Sequence, residues 1–479
     1  MGSVEQAFRH IRSLKEGSRV FASVALASAL TGGLLACMFP PLVVGVGVGG
    51  VIWLLWLLWC WPSAAIVTLA TSVSMPGLVL AGGVSITAER VAMPVVAVVL
   101  VLSLLARETS RLRLGYEHLG LGLFIGLNAL GGLLNAPDVA GSLKLTVLVG
   151  IASLPFWLLP NIARDRRGVV LAFWAFIIVS LLEAIMGLGT TVAHRLTELG
   201  LGMQMDPLTG AASPKGTQFE SNTFGSQMAA ALVAVVGWSA ASRRHIKRPW
   251  LIGVCIVCIA AALGLSLSRG AWLGALAGLF VLALALGGRR ATAISVIGLA
   301  VFLLLGILLI VADPNDFRGS PMLYRMLLVG DLLQGKLDPT TSERMYLYGL
   351  ALQGWMEHPI IGWGAGAFGQ LHMYRSVNLP AWLSNLEIHA LFDSGVVGLL
   401  GLMLAILGTI FALILAIRRS TKNAGADKGI LVGLLGASVV LFVAFQATEA
   451  TWLGYGWYVY GTAWAASLLG LGRAGSNVP

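Results

Sequence analysis

The segment LEIHALFDSGVVGLLGL, residues 386–402, sets Glu387, His389 and Asp393 at the mouth of a long apolar run. Imidazole is the side chain best suited to exchanging a proton near neutral pH. Asp393 follows at i+4 on the same helix face, where it can orient the ring or simply favour the positive helix end. Capping and packing also account for a histidine at a helix end, so these residues alone leave both readings open. The second reactive type is arginine. In LSLSRGAWLGAL, Arg269 stands in a very short turn between two apolar runs, where it either meets an anion or snorkels to lipid headgroups. Arg195, Lys215, Arg318, Arg325, Lys336, Arg344 and Arg375 fall on the same side of the membrane by the topology below. Guanidinium groups bind phosphate oxygens in pairs, so a few of these cations brought together would hold a phosphate or diphosphate. His194, His358 and His372 share that side and compete with His389 for the role of base.

Other motifs point away from chemistry. GWGAGAFG places Gly364, Gly366 and Gly369 in a G-x-G-x-x-G pattern, but without a βαβ context the pattern reads as tight turns. Ser266 in GLSL has the form used by intramembrane serine proteases, yet that chemistry needs a histidine at matching depth and His389 sits at a helix mouth. Cys37, Cys60, Cys255 and Cys258 all belong to apolar runs, which argues for packing rather than disulfides or zinc. LLAC, ending at Cys37, resembles a lipoprotein processing box with an atypical leucine before the alanine; it reads better as part of an uncleaved first membrane helix. DPND, with Asp313 and Asp316, has too few acids for a hard-cation site and reads as a helix-exit turn. Glu183 is the clearest ionisable residue inside an apolar run. Ion-coupled transporters usually bury several, which counts against transport.

The elements that must position these residues are membrane helices. Of 479 residues, 57% are hydrophobic and 11% charged, and the mean hydropathy is +0.87. Such a chain is a polytopic membrane protein. Its net charge of +10 resides in short loops between apolar runs, without the aromatic interleaving of a nucleic-acid surface. Apolar runs near 20–38, 42–60, 63–81, 91–106, 117–135, 143–160, 168–189, 222–241, 250–266, 270–287, 291–312, 388–417, 430–447 and 451–471 give roughly 14 crossings. If 42–81, with WLLWLLWCWP, is a re-entrant pair, about 12 remain. From an inside N-terminus, the basic clusters 107–113, 164–167, 243–248, Arg289–Arg290, 418–422 and Arg473 all fall in inside loops. The expected fold is therefore all-α. A cytoplasmic amphipathic segment (1–19) precedes membrane helices over 20–312, which carry an external loop near 190–221. A large external loop (313–387), C-terminal crossings (388–471) and a cytoplasmic tail (472–479) follow. Both external loops exceed what a connection needs, and function belongs there. Within the larger, Met345, Tyr348, Leu352 and Trp355 recur as on one face of an amphipathic helix able to lie on a bilayer, and PMLYRMLLVGDLLQGKL repeats the pattern.

Four stretches together resemble the bacterial O-antigen ligase and O-antigen polymerase superfamily, most of all its ligases. They are KGTQFESNTFGSQMAAAL, LSLSRGAWLGAL, HPIIGWGAGAFG and EIHALFDSGVVGLLG, spread over roughly residues 215–402. The resemblance implies an integral glycosyltransferase of the inner membrane with a periplasmic active site and no metal or other cofactor. Its donor would be a glycan on undecaprenyl diphosphate. A ligase passes that glycan to a sugar hydroxyl of lipid A–core and a polymerase to another lipid-linked repeat; both kinds share these motifs. By the same resemblance, His389 would deprotonate the acceptor hydroxyl beside Asp393. Arg269 and Lys215, with Arg195 or Arg344, would stabilise the departing diphosphate, Glu387 would contact substrate, and displacement would invert the anomeric centre. Two positions depart from the family pattern: Lys215 stands where many relatives have arginine, and Ala390 where many have asparagine. Lysine keeps the charge but loses the two-pronged grip. A lipid-linked glycan transporter and a non-catalytic envelope scaffold are the alternatives from other classes.

Overall fold

Apolar runs become helices here, and polar residues at their edges fix where they start. The computed structural model describes residues 61–77, 88–106, 112–198, 200–205, 212–242, 246–287, 339–375, 379–420, 425–448 and 450–470. The helices before the first long loop are α1 (Pro62–Ser74), α2 (Ala88–Ala106), α3 (Tyr116–Leu134), α4 (Val139–Ile162) and α5 (Arg166–Thr197). A hairpin, β1 (Met203–Met205) and β2 (Ala212–Pro214), leads into α6 (Ser221–Ala241), α7 (Pro249–Leu265) and α8 (Arg269–Leu286). After these come α9 (Pro339–Trp355), α10 (Ala367–Leu371), α11 (Leu386–Arg419), α12 (Gly425–Ala444) and α13 (Gly454–Leu468). Asp138, Asp165, Ser268 and Asn385 open α4, α5, α8 and α11 by accepting backbone N–H groups that the first turn leaves over. All these elements belong to one unit, Pro62–Val79 with Ile86–Pro479.

Seven described helices, α3, α4, α5, α6, α8, α11 and α12, are long and apolar enough to cross a membrane, and α1, α2 and α7 are shorter apolar helices. The all-α expectation holds, with one addition in the first long loop: β1 and β2 pair antiparallel, Gln204 opposite Ser213. The crossings expected at 20–38, 42–60 and 291–312, the two terminal segments, and 313–338 with Arg318, Arg325 and Lys336 lie outside the described residues. Large apolar side chains point outward on these apolar helices, as Val257 (67% exposed), Leu400 (64%) and Phe411 (61%) do, which is the surface a lipid-embedded bundle presents.

The bundle has two chemically distinct ends. At one, Arg113 bonds the Asn161 side chain and the Arg164 carbonyl, Arg166 clasps Asp427, and α11 finishes in Arg418 and Arg419. At the other, Asn135 donates to the Gly362 carbonyl and the Leu386 amide to Phe445. That second end carries a cap made of α9, α10 and the strand-like stretch before α11. Its small core is Leu347, Ala351, Phe368, Leu383 and Phe392. On α9 the cap core takes Leu347 and Ala351, and of the expected stripe Tyr348 packs against that core while Met345 (57%) and Leu352 (39%) are exposed, so the four residues do not form one uniform apolar face.

Two long helices depart from their expected spans. α5 has 32 residues, about 48 Å, so its final turns extend past a hydrocarbon layer of about 30 Å. α11 has 34 residues but is interrupted at Gly395, whose φ of +67° and ψ of −174° are not helical. Only glycine enters that region without strain. Residues 396–419, about 36 Å long, form the crossing proper. Leu386–Ser394 is a separate short segment, pinned into the cap core through Phe392. The apolar run at 388–417 is therefore two elements, and His389 and Asp393 sit on the first.

Candidate functional site

On that short segment the i, i+4 spacing brings His389 Nε2 within 3.1 Å of Asp393 Oδ2. Both residues are buried. Asp393 Oδ2 also accepts from the Gly366 amide at 3.3 Å. An ionised carboxylate only accepts, so the proton between them sits on Nε2 and leaves Nδ1 as the ring's basic nitrogen. The interruption at Gly395 frees backbone groups, and the GWGAGAFG turn takes them up. The Trp363 amide donates to the Phe392 carbonyl, the Gly364 amide to Asp393, and Val396 donates to Pro359. Gly364 (φ +93°) and Gly366 (φ +72°) make that stretch a tight turn, the reading favoured over a nucleotide loop. Trp382 stands edge-on to the imidazole, ring centroids 6.1 Å apart.

A four-residue turn, Phe445–Thr448, gathers three helix starts at this end. Thr448 Oγ1 donates to Glu220 Oε1 ahead of α6, at 2.8 Å. Gly270 in the first turn of α8 packs directly on Ala447. Gln446 accepts from Asn385, the cap of α11, at 3.1 Å and donates to Glu387 Oε1 at 2.8 Å. Each helix start carries roughly half a positive charge, and three together favour an anion in the space between. Arg269 is the first residue of α8, half-buried, and the turn before it is only Ser266–Ser268. Leu267 there takes a φ of +56°, a left-handed conformation costing about 1 kcal/mol in a non-glycine residue. Ser266 is spent on structure: its hydroxyl donates to the Leu263 carbonyl at 2.7 Å, and it packs with Ser268 against Gly225 of α6.

The other cations stand at different removes. Lys215 is half-buried in the turn that leads into α6. Arg344 on α9 is half-buried one turn before Tyr348, whose hydroxyl donates to the Ser384 carbonyl beside the α11 cap. Burial pushes the Tyr348 phenol up, and the Arg344 charge opposes that shift. Arg195 is exposed on the last turn of α5, about 18 Å further along the axis than Glu183. The structure thus brings His389, Asp393, Glu387 and Arg269 around one junction, with Lys215 and Arg344 on its flanks, and does not bring in Arg195. Arg375 covers the Tyr346 ring at 3.2 Å. Of the other histidines, His358 packs edge-on against Trp363 and His372 lies against Phe368, where burial lowers its basicity.

Sequence reading missed Asn385, Gln446, Glu220 and Thr448, which fix the helix starts. Asn385 had a signal, an N-cap residue just before an apolar run. Gln446 and Thr448 had none, being polar residues near the end of an apolar stretch whose partners lie 59 and 228 residues away. Two buried carboxylate oxygens at the junction, Asp393 Oδ1 and Glu387 Oε2, have no hydrogen-bond partner among the described residues. A comparison with curated proteins finds no match. Residues 254–403 of this multi-pass chain match the family model described as O-antigen ligase, and over that span, which holds Arg269, Arg344, Glu387, His389 and Asp393 but not Lys215 or Arg195, the chain is similar to that family.

Proposed function

We propose that the chain is an inverting, metal-independent glycosyltransferase of the O-antigen ligase type. It moves a glycan from undecaprenyl diphosphate to a sugar hydroxyl of lipid A–core at the periplasmic face of the inner membrane. The observation that carries this reading is the buried His389–Asp393 pair, 3.1 Å apart, beside the junction where Arg269 begins α8. His389 Nδ1 takes the proton of the acceptor hydroxyl as its oxygen attacks the anomeric carbon. The bond from that carbon to the diphosphate breaks, and undecaprenyl diphosphate leaves with the electron pair. Asp393 holds the ring and stabilises the imidazolium that forms. Arg269 and Lys215, aided by three helix starts, meet the charge growing on the diphosphate. Arg344 and Arg195 add to the potential from the rim. The unpartnered Glu387 oxygen supplies an acceptor for a sugar hydroxyl.

The positive-inside pattern supports the orientation, since Arg113, Arg164, Arg166, Arg418 and Arg419 lie at the opposite end of the bundle. The test is reconstitution of purified protein with a defined undecaprenyl-diphosphate glycan, supplied either with lipid A–core or with further donor alone. Glycosylated lipid A–core is the expected product, formed equally well in chelator. Chain extension of the donor alone would instead assign the polymerase reaction, and donor flux without transfer would assign transport.

A further inference from the structure

One buried carboxyl group is not used in that mechanism. Glu183 lies inside α5 with none of its surface exposed. Its Oε1 accepts from the Thr217 amide at 2.6 Å, and both carboxylate oxygens accept from Thr217 Oγ1, at 3.1 and 3.2 Å. Gly216 has φ +57°, and a Cβ there would overlap Glu183 Oε1, so the carboxylate fits against the turn as glycine alone permits. The turn is closed by the Gln218 amide donating to the Lys215 carbonyl at 2.9 Å. Gln218 Nε2 reaches Ser74 of α1 and Gln227 of α6, and Gln227 in turn donates to Ser180, one helical turn before Glu183. Lys215 and Gly216 both donate through their amides to the Gly202 carbonyl beside the hairpin. Residues 215–218 are thus held from three helices and the hairpin, through buried polar groups.

Such an anchorage costs a buried carboxylate its water, and the structure shows what it fixes. The first residue of the clamped turn is Lys215, whose backbone is bonded while its ammonium has no hydrogen-bond or ion-pair partner among the described residues. Glu183 is bonded to Thr217 rather than to that ammonium, so it sets the place of the cation without neutralising it.

We propose that Glu183, acting through Thr217, is the positioning residue that sets Lys215 for the diphosphate of the lipid-linked donor, an inference resting on the donor-binding role given to Lys215 above. It predicts a loss in donor affinity rather than in chemistry. With the full-length protein in nanodiscs and undecaprenyl-diphosphate glycan as donor, Glu183→Gln and Thr217→Val each raise donor KM about tenfold, the scale of one buried hydrogen bond, and change kcat by less than about twofold. Thr217→Ser, which keeps the hydroxyl, recovers most of that affinity. In the double variant Glu183→Gln, Lys215→Ala, donor KM equals that of Lys215→Ala alone, because an anchor has no effect once its cation is gone. Thr217→Val carries the test if Glu183→Gln unfolds in a thermal melt. If Lys215→Ala raises donor KM but Glu183→Gln and Thr217→Val do not, or if the double variant shows additive losses, the positioning role is overturned. If Lys215→Ala itself leaves donor KM unchanged, the donor-grip reading beneath it fails instead.

Discussion

Asp393 and Glu183 are both buried carboxylates that accept a backbone N–H from a glycine-containing turn, yet their remaining bonds differ. Both Glu183 oxygens are bonded to Thr217, a fixed neighbour. Asp393 commits one oxygen to His389 and Gly366, and its other oxygen is buried without a partner among the described residues. A carboxylate that spends all its bonds on backbone and hydroxyl donors can hold a turn but has nothing to offer a changing charge. One bonded to an imidazole can respond when that ring gains a proton, and its spare oxygen can take a substrate hydroxyl or a water. In the mechanism proposed above, the contrast separates a region that would bind, around the turn 215–218, from a region that would react, around 386–394.

The largest effect should come from the reacting region. His389→Ala is expected to lower kcat by about 100- to 10,000-fold, the range for a general base, while donor affinity stays within about twofold. Single-turnover transfer and equilibrium binding of labelled donor measure the two separately. A variant retaining more than about a tenth of the transfer rate would remove the base from this region. Next in size is Arg269→Ala, since the proposed mechanism gives Arg269 a part in both regions. It should lower kcat about 100-fold and raise donor KM as well, with Arg269→Lys recovering only part because the forked grip is lost. Unchanged kinetics would mean that Arg269 only snorkels to lipid headgroups.

Much of this division was legible in the sequence, and what was not has a physical reason. Apolar length located the long helices of the bundle, though not α10, and the i, i+4 spacing placed His389 and Asp393 on one face, because both patterns are local. The very short turn before Arg269 was equally plain, since only Ser266–Ser268 separate α7 from α8. The interruption at Gly395 was hidden, since a glycine within an apolar run looks like any other; it depends on carbonyls satisfied by Trp363 and Gly364 from a different loop. Glu183 stands out in the sequence as the clearest ionisable residue inside an apolar run, but there only the scarcity of others carries an argument, against transport. Its partner Thr217 is 34 residues away, and no local pattern announces a bond across that distance. Gln446 was silent for the same reason.

Asp393→Asn sharpens the comparison most directly. The amide keeps the size of the side chain and an oxygen for Gly366, so the turn survives, but the charge that steadies the imidazolium is lost. A fall in kcat of about tenfold or more with donor KM unchanged is expected, smaller than for His389→Ala because the base itself remains. Glu183→Gln makes the same chemical change in the binding region and should move donor KM instead. If both variants change the same kinetic constant, the two carboxylates do not divide the work and the distinction fails.

The smallest effects belong to the rim. Arg344 is half-buried on α9 and near enough to the Tyr348 phenol to oppose its shift, whereas Arg195 is exposed at the far end of α5. An exposed charge acts through water and salt, and at 0.15 M its influence fades over about 8 Å. Arg344→Ala should therefore raise donor KM about threefold, and Arg195→Ala by less than about twofold. Measuring donor KM at low and high ionic strength separates the cases. The Arg195 effect, being long-range, should vanish in high salt, and the Arg344 effect should persist. Equal and equally salt-sensitive losses would make both residues steering charges of one diffuse field, and the binding region would then reach beyond the clamped turn to the whole end of the bundle.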